Sequence, residues 1–389
     1  MFKRIIDIPR DRHLFLFGPR QTGKSTLIRT LFTDTQTLFL DLLKNDVFQS
    51  YVARPELFRQ EVIEAGKRGI LRVVVDEVQR VPALLNEVHG LIESLSSVQF
   101  ILTASSARKL KRENANLLAG RALTRTLFPL VSREIDIDWP LATFFQFGSL
   151  PPIVMEKNIE YRRDILRSYV DTYLSMEIQQ EARLRNLGAF LRFLSLAAVS
   201  SGQIINYAKI GGEAAVSGQM VKGYFELLED TLIGWHLSPW GRSLRKRIVR
   251  HPRFYFVDPG ILRAILKRTA VPVGENDPEF GQLFEHLIIN EVRALDSYLR
   301  RDLSLSFFRT EKGAEVDLII ETPAGKTIAM EIKSARNPEA RHMGGLRSFQ
   351  ALVPHAQCII ACRAERPYEL DHGIKVLPWR EAVDYVIDG

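Results

Sequence analysis

At 389 residues the chain is long enough for two or three domains rather than one. Its 46% hydrophobic and 25% charged content is that of a globular protein, and no apolar run approaches the ~18 residues of a membrane span. The net charge of +7 is a mild pointer to a polyanionic partner, and the first ten residues lack the apolar core and cleavage site of a signal peptide, so a cytoplasmic protein with no membrane contact is expected.

In chain order, residues 13–17 (HLFLF) read as a short buried strand and residues 25–32 as a helix. Between them Gly18, Pro19, Arg20, Gln21, Thr22, Gly23, Lys24 and Ser25 match G-x-x-x-x-G-K-[ST], with Thr26 following in the helix. Strand, glycine-rich turn and helix N-terminus together cradle phosphates with backbone N–H groups. Lys24 can then reach the β/γ oxygens of ATP, and the Ser25 hydroxyl can sit on Mg²⁺. Residues 37–42 fit a further early strand. Residues 71–75 (LRVVV) fit a strand buried on both faces, which delivers Asp76 and Glu77 at its carboxyl end. Asp76 can hold Mg²⁺ through water, and Glu77 can act as general base on the attacking water. A strand over residues 98–103 ends in Thr103 and is followed by Ala104, Ser105 and Ser106. Any of Thr103, Ser105 and Ser106 can sense a γ-phosphate or cap the following basic stretch.

These landmarks, with residues 118–121, 129–130 and 148–151, resemble an AAA-type ATPase of the additional-strand, catalytic-glutamate class. They resemble in particular the bacterial and archaeal ATPases that carry a C-terminal DUF4143 region. Ala104-Ser105 and Gly148-Ser149 stand where that family often has Gly-Ser and Gly-Gly. The resemblance implies ATP and Mg²⁺ as ligands, with Ser105 at the nucleotide. Arg121, after Ala119-Gly120, either stabilises transition-state charge, in cis or in trans, or holds a loop carbonyl.

A boundary is expected near residue 150. The segment 161–182 is helical by period, and 186–200 is a more apolar helix. A pattern like a winged helix-turn-helix follows: a short helix at 206–211, a second helix capped by Ser217, and strands at 232–237 and 254–257. Between these strands lie Arg242, Arg245, Lys246, Arg247, Arg250 and Arg253, a basic loop able to meet a nucleic-acid backbone or an acidic partner domain. Lys222 on the second helix favours phosphate, whereas Glu226 and Glu229 oppose it.

In the last third, Glu285 opens an amphipathic helix, Asp317 lies on one strand and Glu331 and Lys333 on the next. The i,i+2 spacing puts Glu331 and Lys333 on one face, so the three can converge. Two carboxylates can hold Mg²⁺ while Lys333 steadies a nucleophilic water. This pattern resembles the PD-(D/E)xK nuclease core over residues 278–362, and the resemblance implies Glu285 as the acidic residue of its first helix. The alternative is a scaffold with these side chains ion-paired. The two cysteines, Cys358 and Cys362, share one apolar run and read as reduced packing residues.

The sequence thus predicts an α/β protein of three parts: a P-loop ATPase parallel sheet (1–150), a mostly helical winged-helix-like domain (151–275), and a mixed α/β nuclease-like domain (276–389). Two functions fit. One is an ATP-driven switch or motor acting on DNA through the 242–253 wing and the C-terminal domain, with or without metal-dependent cleavage. The other is a signalling or toxin–antitoxin-type NTPase switch whose terminal domains bind protein. The oligomeric state is open, a homo-oligomer included.

Overall fold

The computed structural model describes residues 2–95, 97–108, 110, 118, 120–137, 139–177, 186–241, 251–339 and 343–389. Five strands, β1 (Leu14–Phe17), β2 (Thr37–Asp41), β3 (Arg72–Asp76), β4 (Gln99–Ala104) and β5 (Leu123–Thr126), form one sheet in the order β2-β3-β4-β1-β5. Every pairing in it is parallel. The continuous apolar runs of β1, β3 and β4 follow from this, because a parallel sheet is covered on both faces. β4 lies between the strand that leads into Gly18 and the strand that ends at Asp76. That is the added strand that the ATPase resemblance implies.

The middle part is helical. Helices Ile159–Ser168 and Leu187–Val199 match the expected pair, with a π-helical stretch, Tyr169–Glu177, continuing the first. The end of the expected first helix, through 182, lies outside the described residues. Helices Tyr207–Ala214 and Gly218–Asp230 are joined by a three-residue turn. Ala215 turns it in the left-handed region at φ 57°, and the Ser217 hydroxyl accepts from the Met220 N–H at 3.2 Å as N-cap. Gly211 is needed there, since a Cβ would meet the Val216 carbonyl oxygen at 2.7 Å.

Strands β6 (Gly234–Pro239) and β7 (Arg253–Phe256) pair antiparallel, as a wing would. They do not stand apart, however. Ser238 and Pro239 of β6 pair parallel with Ser306 and Phe307 of β8 (Ser304–Arg309). The hairpin therefore becomes the edge of the C-terminal sheet, which runs β12-β13-β11-β10-β9-β8-β6-β7. The other strands are β9 (Glu315–Glu321), β10 (Thr327–Ile332), β11 (Gln357–Cys362), β12 (Tyr368–Leu370) and β13 (Ile374–Pro378). The sheet thus crosses the position, 275, at which the sequence suggests a boundary.

Helix Pro278–Leu299 packs across this sheet, and one hydrophobic core runs from Ile6 through Phe193 and Phe225 to Ile387. A second core, including Phe58, Val88 and Phe100, fills the other face of the parallel sheet. Cys358 and Cys362 are free and buried on β11. Among the described residues no helix is long and apolar enough to cross a membrane.

Candidate nucleotide site and C-terminal acidic cluster

The turn after β1 is shaped by its glycines. A Cβ on Gly18 would sit 2.4 Å from the Leu127 carbonyl oxygen, and Gly23 has φ +91°. Only glycine satisfies both the close approach and the left-handed backbone without strain. Gly23 precedes helix Lys24–Leu31 and supplies no side-chain cap. First-turn N–H groups of that helix are thus left for an anion, with the positive end of the helix dipole behind them. Thr22 Oγ1 donates to the Pro19 carbonyl at 2.9 Å and holds the loop's curvature. Arg20 lies 5.1 Å over the Tyr173 ring.

Lys24 is folded inward and buried. Its Nζ donates to the carbonyls of Gly18 (2.8 Å) and Pro19 (3.1 Å) and stands 3.7 Å from Glu77 Oε1. Burial lowers its pKa, and Glu77 and Asp76 partly offset this. Glu77 is likewise buried, and it sits in the left-handed region at φ 59°. That backbone costs on the order of 1–2 kcal/mol for a non-glycine residue, and such strain collects at functional sites. Its Oε2 accepts from Ser105 Oγ at 2.6 Å and Gln79 Nε2 at 2.5 Å, and Gln79 also donates to Ser105 at 2.9 Å. Burial raises the Glu77 carboxyl, but Lys24, Ser105, Gln79 and Arg20 outweigh it and hold the group below the usual carboxylate range.

Thr103 bonds the Asp76 carboxylate through its hydroxyl and accepts the Glu77 N–H at 3.1 Å. Ser106 instead accepts the Arg108 N–H at 3.2 Å, a local turn contact. Of the three polar residues ending β4, Ser105 therefore meets the carboxylate of Glu77 and Thr103 that of Asp76. The Ser25 hydroxyl and the Asp76 carboxylate are the oxygen-only donors that hard Mg²⁺ prefers, and they fit that ion.

A cleft of about 570 Å³ flanks the loop, lined by Phe2, Gly23, Thr26, Leu27, Pro151 and Met155 among others. Arg4 clamps its floor. Its guanidinium donates to the Thr22 carbonyl at 2.8 Å and to Tyr298 Oη at 2.8 Å, and it pairs with Glu134 at 3.0 Å. Neither Phe2 nor Arg4 belongs to any motif. The signal for them is only their position a few residues ahead of β1.

Arg121 stands away from the nucleotide site of its own chain. It pairs with Glu93 at 2.7 Å and precedes β5, whose register sets Leu123 beside Leu14 and Thr126 beside Phe17. It therefore stands at the amino ends of the parallel strands, more than ~13 Å of strand away from the loop at their carboxyl ends. An in-chain contact with the nucleotide is excluded by that register.

The C-terminal residues do converge. Lys333 Nζ lies 2.6 Å from Glu331 Oε1 and 3.6 Å from Asp317 Oδ2, so both carboxylates share one face. The Asp317 carboxylate also accepts the Ile332 N–H at 2.8 Å. Sequence reasoning missed the neighbour at the centre. Arg253, assigned to the basic wing, is instead buried. Its guanidinium is 3.0 Å from Glu285 Oε1 and 4.0 Å from Asp317 Oδ1, and it also pairs with Glu315. Tyr255 donates to Glu285 at 2.6 Å. The rest of the proposed wing, Arg242 to Arg250, lies outside the described residues.

Burial, with the charge of Asp317, raises both Glu285 and Glu331 well above the usual carboxylate range. Burial lowers Lys333, but Asp317 and Glu331 outweigh it and raise the ammonium. The expected metal ligands Glu285, Asp317 and Glu331 thus face Arg253 and Lys333 in this structure. Among the described residues no group of three carboxylate, histidine or cysteine side chains is disposed to hold a metal ion. Arg253 and Lys333 pair with Glu285 Oε1, Asp317 and Glu331 Oε1, whereas Glu331 Oε2 is buried without a hydrogen-bond partner.

Comparison with known proteins agrees with the N-terminal geometry. Residues 10–136 match the model of an AAA domain, 140–271 a domain of unknown function (DUF8612), and 280–382 a domain of unknown function (DUF4143). Uncharacterised proteins of Mycobacterium bovis and Mycobacterium tuberculosis are each 25% identical over 366 residues, 94% of this chain and 79% of theirs. One from Haemophilus influenzae is 22% identical over 326 residues, covering 78% of both chains. Among solved structures, AMPPCP-bound DnaA from Aquifex aeolicus is similar at 13% identity and a TM-score of 0.28, over 57% of this chain and 82% of that one. The corresponding figures for C. elegans PCH-2 are 17%, 0.26, 58% and 62%. The match over residues 10–136 supports an AAA-type P-loop domain in the N-terminal part, joined to a C-terminal part similar to DUF4143.

Proposed function

We propose that this chain is an ATP-hydrolysing switch that acts on DNA. The observation that carries the reading is the inward set of Lys24, Glu77, Ser105 and Gln79 beside Asp76. Without nucleotide, Lys24 satisfies itself on loop carbonyls and on Glu77. The β- and γ-phosphates of ATP compete for that ammonium with full negative charge, and first-turn N–H groups bind their oxygens. Glu77 then loses its cation and faces a water with Ser105 and Gln79 still orienting it. It accepts the proton of that water as the oxygen attacks the γ-phosphorus, and the bond to the β–γ bridging oxygen breaks to leave ADP. Ser25 and Asp76 would hold Mg²⁺, which would supply positive charge to the phosphate. The base and ribose fit the cleft edged by Phe2, Leu27 and Met155.

The DNA part of the reading is supported by the helix pair Tyr207–Ala214 and Gly218–Asp230, the β6–β7 hairpin, and the basic composition of residues 242–250. A chain of contacts from the loop to the C-terminal part also supports it. Arg4 joins Thr22 to Tyr298, and Tyr298 shares helix Pro278–Leu299 with Glu285, thirteen residues or about 20 Å away (298 − 285).

A second reading, a switch whose terminal parts bind protein and cut nothing, is favoured by the ion pairing of the C-terminal carboxylates. The ATPase rate measured with no DNA, with single-stranded DNA and with double-stranded DNA separates the two. A rate that rises with either DNA form is expected. DNA indifference, combined with nucleotide-dependent changes of oligomer size, would transfer support to the second reading.

A further inference from the structure

We propose that Arg253 is a resident cation that closes the C-terminal acidic cluster to divalent metal. The carboxylates come from helix Pro278–Leu299 (Glu285), from β9 (Glu315 and Asp317) and from β10 (Glu331). Four such groups on one sheet face repel one another and would draw in a divalent ion if left open. Arg253 reaches in from β7, the edge strand of the same sheet, and contacts three of them. Its guanidinium stacks 4.7 Å over the Phe307 ring and is 3% exposed, so it is built in rather than resting on the surface. Tyr255, two residues on, donates to the same Glu285 oxygen that receives Arg253. Lys333 pairs with the fourth, Glu331, through Oε1, and also lies 3.6 Å from Asp317, leaving Glu331 Oε2 buried without a hydrogen-bond partner.

The chemistry of the plug is specific. A hard divalent ion needs several carboxylate and water oxygens directed at one point. Here Glu285 and Glu315 pair with a planar fork of N–H donors, with Asp317 4.0 Å away, an arrangement that guanidinium matches and a metal does not. Guanidinium also keeps its charge across the accessible pH range, so acid or base does not vacate the place. The neutralisation that a nuclease-like fold would obtain from an ion is supplied by the chain itself. This inference does not depend on the ATPase reading.

Mn²⁺ titration of the full chain without nucleotide, followed by electron paramagnetic resonance, is the test. The parent protein and Asp317→Asn should bind the same number of ions, because no ion uses Asp317. Loss of one ion per chain in Asp317→Asn would overturn the proposal without need of any Arg253 variant. Arg253→Gln, shown to be folded by an unchanged circular-dichroism spectrum and cooperative melt, should gain one Mn²⁺ per chain, and adding Asp317→Asn should remove it. A folded Arg253→Gln that gains no ion would equally overturn the proposal. Arg253→Lys keeps a cation in place and should stay closed.

Discussion

Glu77→Gln should bind ATP as the parent does and hydrolyse it at least ~100-fold more slowly, the scale of a lost general base. The amide keeps the size of the carboxylate, and its oxygen can still accept from Ser105 and Gln79 as Glu77 Oε2 does at 2.6 and 2.5 Å. What it cannot do is take a proton from water. The substitution also removes the charge that faces Lys24 at 3.7 Å, so Lys24 is released to the phosphates and nucleotide affinity should not fall. Nucleotide binding by fluorescence and phosphate release on the same preparation give both numbers. Hydrolysis at the parent rate would remove Glu77 from the role of base, leaving the binding site itself intact.

Lys24→Ala should lose ATP binding by roughly 10- to 100-fold or more, the size of a charge-assisted hydrogen bond of about 1.5–3 kcal/mol. The structure adds a second consequence. Lys24 is 5% exposed and stands beside Glu77, so its removal leaves a buried carboxylate with its main counter-charge gone. Glu77 is held low by that neighbour, which means its stabilising contribution is present above the carboxylate range of the unfolded chain and is lost as pH falls through the folded value. In Lys24→Ala the carboxyl should titrate at higher pH, and the variant should lose stability on going from acid to neutral relative to the parent. A melting series against pH reads this. A folded Lys24→Ala variant with parent ATP affinity would contradict the phosphate-binding role.

The nucleotide site was legible because its signals are contiguous. Gly18 to Ser25 encode a turn whose φ angles and clearances only that spacing allows, and Asp76-Glu77 follow a buried strand directly. The parallel sheet followed from apolar runs too short for helices. What escaped is what depends on register between distant segments. Arg121 follows Ala-Gly as a catalytic arginine might be expected to, but pairing of β5 with β1 sets it at the far end of the sheet. Arg253 ends a basic run and reads as wing, yet pairing of β6 with β8 carries the hairpin onto the C-terminal sheet and turns that one side chain among carboxylates. The convergence of Asp317, Glu331 and Lys333 was readable from strand periodicity, because β9 and β10 are neighbours. The identity of the cation beside them was not, because it comes from more than sixty residues upstream (317 − 253). Arg4 belongs to no motif, and its partners Thr22, Phe128, Glu134 and Tyr298 lie in different parts of the chain.

The central claim, a switch in which ATP at the P-loop governs contact with DNA, is tested most directly by linkage. DNA affinity is measured for Glu77→Gln with ATP and Mg²⁺ and for the same protein without nucleotide, at fixed salt. Coupling between the two sites is reciprocal and typically amounts to about 1–3 kcal/mol, so DNA affinity should differ between the two states by roughly 5- to 150-fold. Equal affinity in both states, with ATP shown to be bound, would contradict the account.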